Sequence, residues 1–385
     1  MTHARVNTKR LQKLFMDLVR IDSPSRHEGQ VAAFIRDWFQ ANLPSAKILE
    51  DGSAVDTGSD TGNLIIKIPG QKEAEPLFFN AHMDTVEPGR GIKPIFENGV
   101  FKSDGTTVLG GDDKAAIAII LEAVMCLKEA AIAHGPFEIL LTTCEEIGLL
   151  GAKALDESLL DSKAGYALDT EDPDSVINRA PAAIRFHAKI HGVAAHAGLS
   201  PEKGMSAIKV AAKAISQAPQ GRIDPETTCN IGLIKGGTAT NIVPDLVTVD
   251  GEVRSHHQDR LKKLQDDILS CFYKAADDFR REPGDKFPYV AVTVEDDYPV
   301  MNVPEDHPII RAVLHAGRRL DRNLRLEMTG GGSDANIFNS KGLATAILGI
   351  GMQKVHTTEE FIRLEDMEKS CLLAVEILNT WPSET

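Results

Sequence analysis

Five short polar clusters each follow, or lie beside, an apolar segment of the kind that forms β-strands. They are His82 and Asp84 after LFFNA; Asp112, Asp113 and Lys114 after VLGG; Glu145 and Glu146 after ILLTTC; Asp169 after GYAL; and His356 after TAILGIGMQKV. In open α/β sheets, ligands bind in the crevice outside the carboxyl ends of the strands, so residues distant in sequence can meet there. Two histidines and several carboxylates at one crevice predict a metal site.

The ligand types narrow the choice of metal. Imidazole with carboxylate, and no thiolate, suits zinc, cobalt or manganese, whereas an all-oxygen site would suit magnesium or calcium. Two histidines and at least three carboxylates also fit a pair of ions bridged by one carboxylate, at the ~3.5–4 Å separation of hydrolytic two-metal sites. Asp84, two residues after His82, can hold the second imidazole nitrogen. Glu145 and Glu146 point opposite ways if extended, so one can bind metal while the other serves as a general base.

Each cluster has a more ordinary explanation when it is considered alone. A single histidine after a strand is usually a surface or hydrogen-bonded residue, and acids before a helix are favoured by the helix dipole. The coincidence of five clusters at predicted strand ends is what favours a site. A phosphate-binding loop is not supported, because Gly111 stands where the Walker motif needs lysine and the glycines at 330–332 do not open a GxGxxG pattern.

The elements that would position these clusters alternate between strand and helix. Helices are predicted near residues 8–19, 27–42 and 114–131, and strands near 63–68, 77–81, 137–143 and 165–168. This alternation predicts an α/β body with a mostly parallel central sheet covered on both faces. After residue 299 the body resumes, with a helix near 307–320, a strand near 343–348 and a final helix near 364–378.

The pattern changes near Ala180. Between residues 184 and 294 the order strand, helix, strand, strand, helix, strand predicts a ferredoxin-like βαββαβ unit. We therefore expect a catalytic, metal-binding domain in two parts, residues 1–179 and 299–385. An inserted lid or dimerisation domain at residues 180–298 would separate the two parts.

Composition and charge exclude several functions. The 385 residues carry 42 Lys+Arg against 56 Asp+Glu, and the net charge of −14 is spread without a basic cluster, so nucleic acid is not an expected partner. The apolar runs fall far short of the ~18 residues that cross a bilayer, so no membrane partner is expected. The N-terminal segment has helical periodicity instead of the apolar core of a secretory signal, and the five scattered cysteines suit reduced thiols. We therefore expect a cytoplasmic protein.

Seven segments occur in an order that resembles a known enzyme superfamily. They are NAHMDTVEPG, GGDDKAAIA, TCEEIGLLGA, ALDTED, HGVAAHAGLSPEKGMSAI, GGTATNIVPD and GGSDANIF. Together they resemble the two-metal aminoacylase and carboxypeptidase G superfamily, most of all its peptidase T-like branch, over nearly the whole chain. The resemblance implies an α/β zinc-peptidase body and an inserted lid through which the chain forms a homodimer.

The resemblance also implies a set of metal ligands. His82 and Asp169 would bind one Zn²⁺ ion, Glu146 and His356 would bind the other, and Asp112 would bridge them. This makes two Zn²⁺ per chain, with cobalt or manganese as substitutes that the same ligands accept. The peptide bond that follows Asp112 is expected to be cis, as it is in relatives.

Further roles follow from the same resemblance. Asp84 would orient a metal-binding histidine, and Glu145 would be the general base. In the lid, His196 resembles the histidine that reaches a neighbouring subunit's active site and stabilises the oxyanion. Asn241 in TATNIVPD and Arg254 in GEVRS resemble residues that bind substrate. Arg254 could equally be a solvated charge at the end of a strand.

These observations predict a two-zinc metallopeptidase that releases the N-terminal residue of short peptides. A dipeptidase, a carboxypeptidase or an N-acyl amino acid amidohydrolase could use the same two-metal site, and a requirement for a free α-amine would separate them. Asp169 is followed by Thr170, Glu171 and Asp172, so a neighbouring acid could compete for the metal or contact a substrate amine. A non-catalytic relic would have no reason to keep Glu145 beside the metals. A purely structural ferredoxin-like module would not explain the large body.

Overall fold

The computed structural model describes residues 4–282 and 284–382 and forms two compact units. One unit contains the chain up to residue 179, residues 302–329 and the chain from residue 333 onward. The other contains residues 180–301 together with residues 330–332. The second unit is therefore an insertion in the first. Within the described residues, no helix combines the length and the apolar character needed to cross a membrane.

The first part of the chain contains five helices and eight strands among its described residues. They are α1 (Thr8–Val19), α2 (Gly29–Asn42), β1 (Lys47–Glu50), α3 (Ala54–Thr57), β2 (Leu64–Ile68), β3 (Leu77–His82), β4 (Ile95–Glu97), β5 (Val100–Lys102), α4 (Gly111–Glu129), β6 (Phe137–Thr142), α5 (Leu150–Lys153), β7 (Ala164–Thr170) and β8 (Ser175–Ala180). A short 3₁₀ turn at Glu157–Leu159 precedes β7.

The inserted unit follows the predicted order of elements with three short strands added. Its elements are β9 (Ala182–His191), β10 (Ala195–His196), α6 (Ala207–Gln217), β11 (Gly221–Asp224), β12 (Thr227–Gly236), β13 (Ile242–Val243), β14 (Leu246–Ser255), α7 (Gln258–Phe279) and β15 (Tyr289–Tyr298). A five-stranded antiparallel sheet of order β11-β12-β14-β9-β15 packs against α6 and α7.

The last part of the chain returns to the first unit after β16, which lies at the boundary. Its elements are β16 (Met301–Asn302), α8 (Pro308–Arg319), β17 (Arg325–Met328), α9 (Asp334–Ser340), β18 (Ala344–Gly349), β19 (Met352–Gln353), β20 (Phe361–Arg363) and α10 (Leu364–Thr380).

The main sheet of the first unit confirms the predicted α/β class and has a mixed topology. Strands β6, β3, β7 and β18 lie side by side in parallel at its centre. Strand β2 is antiparallel to β6, and β8 is antiparallel to β18, so parallel pairing is confined largely to the middle of the sheet. The carboxyl ends of the four central strands therefore meet at one edge.

Helix α4 fills the core of this unit. Its residues from Gly111 to Leu127 are all buried, which accounts for an apolar run without amphipathic periodicity. The helix packs on β3 and against α1 and α10. Helix α1 is amphipathic by contrast: its buried residues Leu11, Leu14 and Leu18 recur at helical spacing. Helix α1 therefore packs one apolar face against the core of this unit.

The short strands were not predicted. Strands β4, β5, β19 and β20 form a separate four-stranded sheet, and each has only two or three residues. Such lengths are too short to produce a periodic hydrophobic pattern. The sheet matters for the site, because the loop between β19 and β20 carries His356.

Candidate metal centre

The central parallel strands bring four predicted site residues to one edge of the sheet. His82 is the last residue of β3, Asp169 is the penultimate residue of β7, and Glu145 and Glu146 lie in the turn that follows β6. Because these strands are parallel, their carboxyl ends point the same way. The strands are buried on both faces over most of their length, and these four candidate residues lie at or just after their carboxyl ends.

Asp112 reaches the same edge from the start of α4. Gly110 precedes the helix with a positive φ of 73°, a conformation that glycine adopts without steric cost. Asp112 and Asp113 have non-helical backbone angles, and the peptide bond between them is cis, as the family resemblance implied. Asp113 accepts a hydrogen bond from the backbone N–H of His82 at 3.1 Å, and Lys114 donates to the carbonyl of Ile21 at 2.7 Å.

Asp112 lies between the two histidines. Its Oδ1 is 3.0 Å from His82 Nε2, and its Oδ2 is 3.2 Å from His356 Nε2. The same nitrogen of His356 is 3.1 Å from Glu146 Oε1. One oxygen of a single carboxylate therefore faces each imidazole, as a carboxylate shared by two ions would.

Two groups of side chains share this aspartate. His82, Asp112 and Asp169 can each offer a ligand atom within 4.8 Å of the others, and so can Asp112, Glu146 and His356. A third combination joins His82 with Glu145 and Glu146. The arrangement can therefore hold two cations that have Asp112 in common.

Asp84 supports both sides of this cluster. The Nδ1 atom of His82 lies 3.0 Å from the backbone carbonyl of Asp84 and 3.4 Å from its carboxylate, so both acceptors of Asp84 face that nitrogen. An acceptor at Nδ1 favours the tautomer that leaves Nε2 free to bind a metal. The same carboxylate accepts hydrogen bonds from the backbone N–H groups of Glu145 and Glu146 at 3.0 and 3.2 Å. The sequence predicted the first role of Asp84 but not the second.

Burial makes the acids of the cluster difficult to ionise in the absence of a cation. Loss of solvent raises the pKa of Glu145 well above its usual value, and the charges of Asp169 and Glu146 raise it further. Burial and the charge of Asp112 likewise raise the pKa of Asp169. Burial also raises the pKa of Glu146, although the hydrogen bond from His356 opposes the shift. These carboxylates need more positive charge than two imidazoles supply, which a divalent cation provides.

The histidines take up part of this negative charge. Hydrogen bonds with Asp112 and Glu146 raise the pKa of His356 to about 10. Burial opposes a charged His82, but its hydrogen bonds with Asp112 and Asp84 raise the pKa above the usual value. Burial also opposes ionisation of Asp112, yet the two histidines lower the pKa of this carboxyl. The donor set is therefore one whose negative charge a bound cation would balance.

The remaining predicted residues belong to the inserted unit. His196 is exposed on β10, and Asn241 lies beside it, because the backbone N–H of Ala197 donates to the Asn241 carbonyl at 2.9 Å. The Nδ1 atom of His196 accepts hydrogen bonds from the backbone N–H groups of Gly198 and Leu199, both at 3.1 Å. The neutral ring therefore carries its proton on Nε2, which can donate outward.

Arg254 is held by a partner on its own strand. Its Nε and Nη2 atoms contact the two carboxylate oxygens of Glu252 at 3.1 and 3.0 Å, and its Nη1 atom donates to the carbonyl of Gly330 at 3.2 Å. This bidentate pair orients the guanidinium. Arg254 lies on β14, whereas His196 lies on β10.

Sequence reasoning missed two buried acids that support the site. Glu28 is fully buried and accepts hydrogen bonds from the backbone N–H groups of Cys144 and Arg26 at 2.9 and 3.0 Å, which braces the turn before Glu145. Glu360 is 2% exposed and holds the backbone that leads to Asp112. Neither follows a predicted strand, so the strand-end criterion could not find them. The position of Glu360 four residues after His356 was the available signal.

Two protein-family models match the chain. The model described as a peptidase dimerisation domain matches residues 181–280, within the inserted unit. The model described as peptidase family M28 matches residues 63–179, which contain all the candidate metal ligands described above except His356.

Individual proteins match over nearly their whole length. Protein YqjE of Bacillus subtilis is 41% identical over 374 residues, which cover 97% of this chain and 98% of that protein. The crystal structure of aminopeptidase PepT from Bacillus cereus has a TM-score of 0.89 at 39% identity and covers 97% of this chain and 98% of its own. The crystal structure of a tripeptidase from Staphylococcus aureus has a TM-score of 0.93 at 36% identity, covering 98% of this chain and all of that one.

Proposed function

This chain belongs to the peptidase T-like branch of the M20/M28-type metallopeptidases, and we propose that it hydrolyses short peptides in a metal-dependent reaction that releases the N-terminal residue. The observation that carries the proposal is the pair of ligand groups that share Asp112. An isolated acidic cluster would not place one carboxylate oxygen against each of two imidazoles.

The metals we propose are two Zn²⁺ ions. His82 and Asp169 would hold one, Glu146 and His356 would hold the other, and Asp112 would contact both. Cobalt or manganese would suit the same donors. Such ions, when bound, polarise a carbonyl and lower the pKa of water from about 15.7 towards ~7.

Glu145 is our candidate for the general base. Its backbone N–H is fixed by Asp84, and neither of the two groups that share Asp112 includes its carboxylate. A carboxylate that is free of a metal and whose pKa is raised by burial is suited to take a proton from water and pass it to the leaving amine. This assignment leaves Asp84 as the residue that orients His82 and the glutamate turn.

Substrate recognition is assigned to the inserted unit. The outward Nε2–H of His196 is a suitable donor to the oxyanion, because Nδ1 is already an acceptor. Asn241 lies next to this histidine and would bind the peptide backbone. Arg254 would bind the C-terminal carboxylate of the peptide, for which its guanidinium geometry is suited.

We also propose that the chain works as a cytoplasmic homodimer. The peptidase dimerisation model matches residues 181–280, which supports pairing through the inserted unit.

A defined peptide mixture tests the activity. Tripeptides with a free α-amine, the same peptides with an acetylated amine, and dipeptides would be incubated with the protein and followed by mass spectrometry. We expect loss of the N-terminal residue from the free tripeptides, no reaction after chelation, and recovery when zinc is returned. Cleavage confined to the acylated substrates would assign the site to an amidohydrolase, and release of C-terminal residues would assign it to a carboxypeptidase.

A further inference from the structure

The loop between β19 and β20 contacts the Asp112 segment at two points. His356 faces the Asp112 carboxylate, with His356 Nε2 3.2 Å from Asp112 Oδ2. Glu360, at the other end of the same loop, accepts a hydrogen bond from the backbone N–H of Asp112 at 3.1 Å. A turn closes the segment between them, because the N–H of Glu360 donates to the carbonyl of Thr357 at 3.1 Å. One loop therefore holds Asp112 by its side chain and by its backbone.

The Glu360 carboxylate uses both of its oxygens for this purpose. Its Oε2 accepts from the N–H groups of Leu109 and Gly110 at 2.7 and 2.9 Å, and its Oε1 accepts from Asp112. The side chain is 2% exposed, so water contributes little to its solvation. A buried carboxylate is costly unless hydrogen bonds replace the lost water, and three N–H donors do so here.

The local sequence leaves room for this contact. A Cβ atom at Gly111 would stand 2.9 Å from Glu360 Oε1, so any side chain at Gly111 would crowd the carboxylate. The N-cap of α4, Gly110, has no side chain to satisfy the first N–H groups of the helix. Glu360 supplies these acceptors from a distant part of the chain, for the backbone that leads into the kink at Asp112 and Asp113.

We propose that Glu360 is a positioning residue of the metal centre, which fixes the backbone on both sides of Gly111 so that the Asp112 carboxylate faces both ligand groups. The inference rests on the proposed function, because it assumes that these groups bind metal. These hydrogen bonds stabilise the backbone before the kink in α4, and they set the position of the one ligand that both ions would share. Loss of Glu360 should therefore weaken binding of both metals.

The substitution Glu360→Gln isolates this role. Glutamine keeps the size of the side chain but replaces one acceptor oxygen with an NH₂ group, which would face a backbone N–H. Residues that orient metal ligands typically change metal affinity by 10–100-fold when mutated. Glu359→Gln is the matched control, because Glu359 is exposed and pairs only with Lys354 among the described residues, at 2.6 Å.

The measurement is the dissociation constant of each of two Co²⁺ or Zn²⁺ equivalents, obtained by titrating metal-free protein against a chromophoric chelator. For Glu360→Gln we expect both constants to rise by about 10-fold or more, together with a changed cobalt absorption spectrum. Glu359→Gln should match the wild type. The thermal midpoint of each metal-free protein would be recorded in parallel, because a purely structural cap would lower this midpoint and leave both constants unchanged. That outcome would overturn the inference.

A second variant covers the case in which Glu360→Gln does not fold. Gly111→Ala keeps the glutamate and only displaces its carboxylate, so it should weaken both metals in the same direction by a smaller factor. Unchanged constants in Gly111→Ala would also overturn the inference. A wild-type protein that binds neither metal would instead refute the proposed function, so the two failures are distinguishable.

Discussion

A shared carboxylate organises the site at the scale of single residues. Asp112 presents Oδ1 to His82 and Oδ2 to His356, and the charges of both imidazoles lower its pKa. The neighbouring acids have raised pKa values because they are buried. A cluster of this kind gains most from a ligand of high positive charge and small size, which is the physical reason for assigning it to metal ions.

The role of Glu145 can be tested without disturbing the metal ligands. Glu145→Gln keeps the size of the side chain and removes its basicity, so turnover of a tripeptide should fall by about 10²-fold or more while metal content persists. Steady-state rates and elemental analysis of the same sample are the measurements. Near-normal turnover would place the base elsewhere, and the same substitution at Glu171, an exposed acid near Asp169, would then be the next test.

The proposed contact of Arg254 with the C-terminal carboxylate of the substrate can be tested with peptide amides. Lysine cannot reproduce the two parallel hydrogen bonds of a guanidinium, so Arg254→Lys should raise KM for free-acid peptides more than for their C-terminal amides. Arg185→Lys is the control, because Arg185 lies in the same sheet and pairs with Asp297 at 2.8 Å. Equal losses on acids and amides would reassign Arg254 to the structure of its unit, through its pair with Glu252.

At the scale of secondary-structure elements, the strands position these residues, and the sequence was most informative about the strands. Long apolar strands predicted where polar side chains would emerge, and β3, β6 and β7 place His82, Glu145 and Asp169 at a common edge. Only the long central strands have a hydrophobic pattern that can be recognised in the sequence in this way. His356 depends on a loop between strands of two and three residues, whose pairing with β5 could not be predicted from so short a pattern. Glu360 was not predicted as a site residue for the same reason, because it lies in the same loop.

The outer edge of β12 is the element we expect at the dimer interface. Strand β11 pairs only with residues 227–229 of β12, and no other described strand covers that edge beyond them. Leu233 and Ile234 on the uncovered stretch are 55% and 57% exposed. An unpaired, apolar strand edge is a template for pairing with a second copy about a two-fold axis.

A charge on this edge should therefore separate the subunits. Ile234→Lys places a solvated ammonium where we expect the partner strand, so the mass measured by light scattering should fall from that of a dimer towards that of a single chain. Val55→Lys is the control, since Val55 is 88% exposed in the other unit. A dimer that persists in Ile234→Lys would move the interface to another surface.

At the scale of the whole molecule, the division into two units separates the metal ligands from His196. All five proposed ligands belong to the first unit, whereas His196 belongs to the inserted one. If the histidine acts on the partner's metal centre, the Glu145→Ala and His196→Ala homodimers should both be nearly inactive, since loss of one oxyanion donor typically costs on the order of 10² to 10³ in rate. A mixed dimer would regain one intact site.

Co-expression of the two variants measures this directly. Isolated mixed dimers should recover up to about half of the wild-type rate, because only one of the two sites keeps both an intact base and an intact histidine. Mixed dimers as inactive as their parents, or a fully active monomer, would show that His196 acts within its own chain or does not take part in the reaction.

The account as a whole depends on two metal ions that share Asp112, and a metal titration with parallel activity tests this most directly. Metal-free protein would be titrated with zinc, and bound metal and tripeptide hydrolysis would be measured at each point. We predict saturation at two equivalents per chain, activity that appears as the sites fill, and loss of metal binding in His82→Ala and His356→Ala. Saturation below two equivalents, or unchanged binding in both histidine variants, would contradict the account.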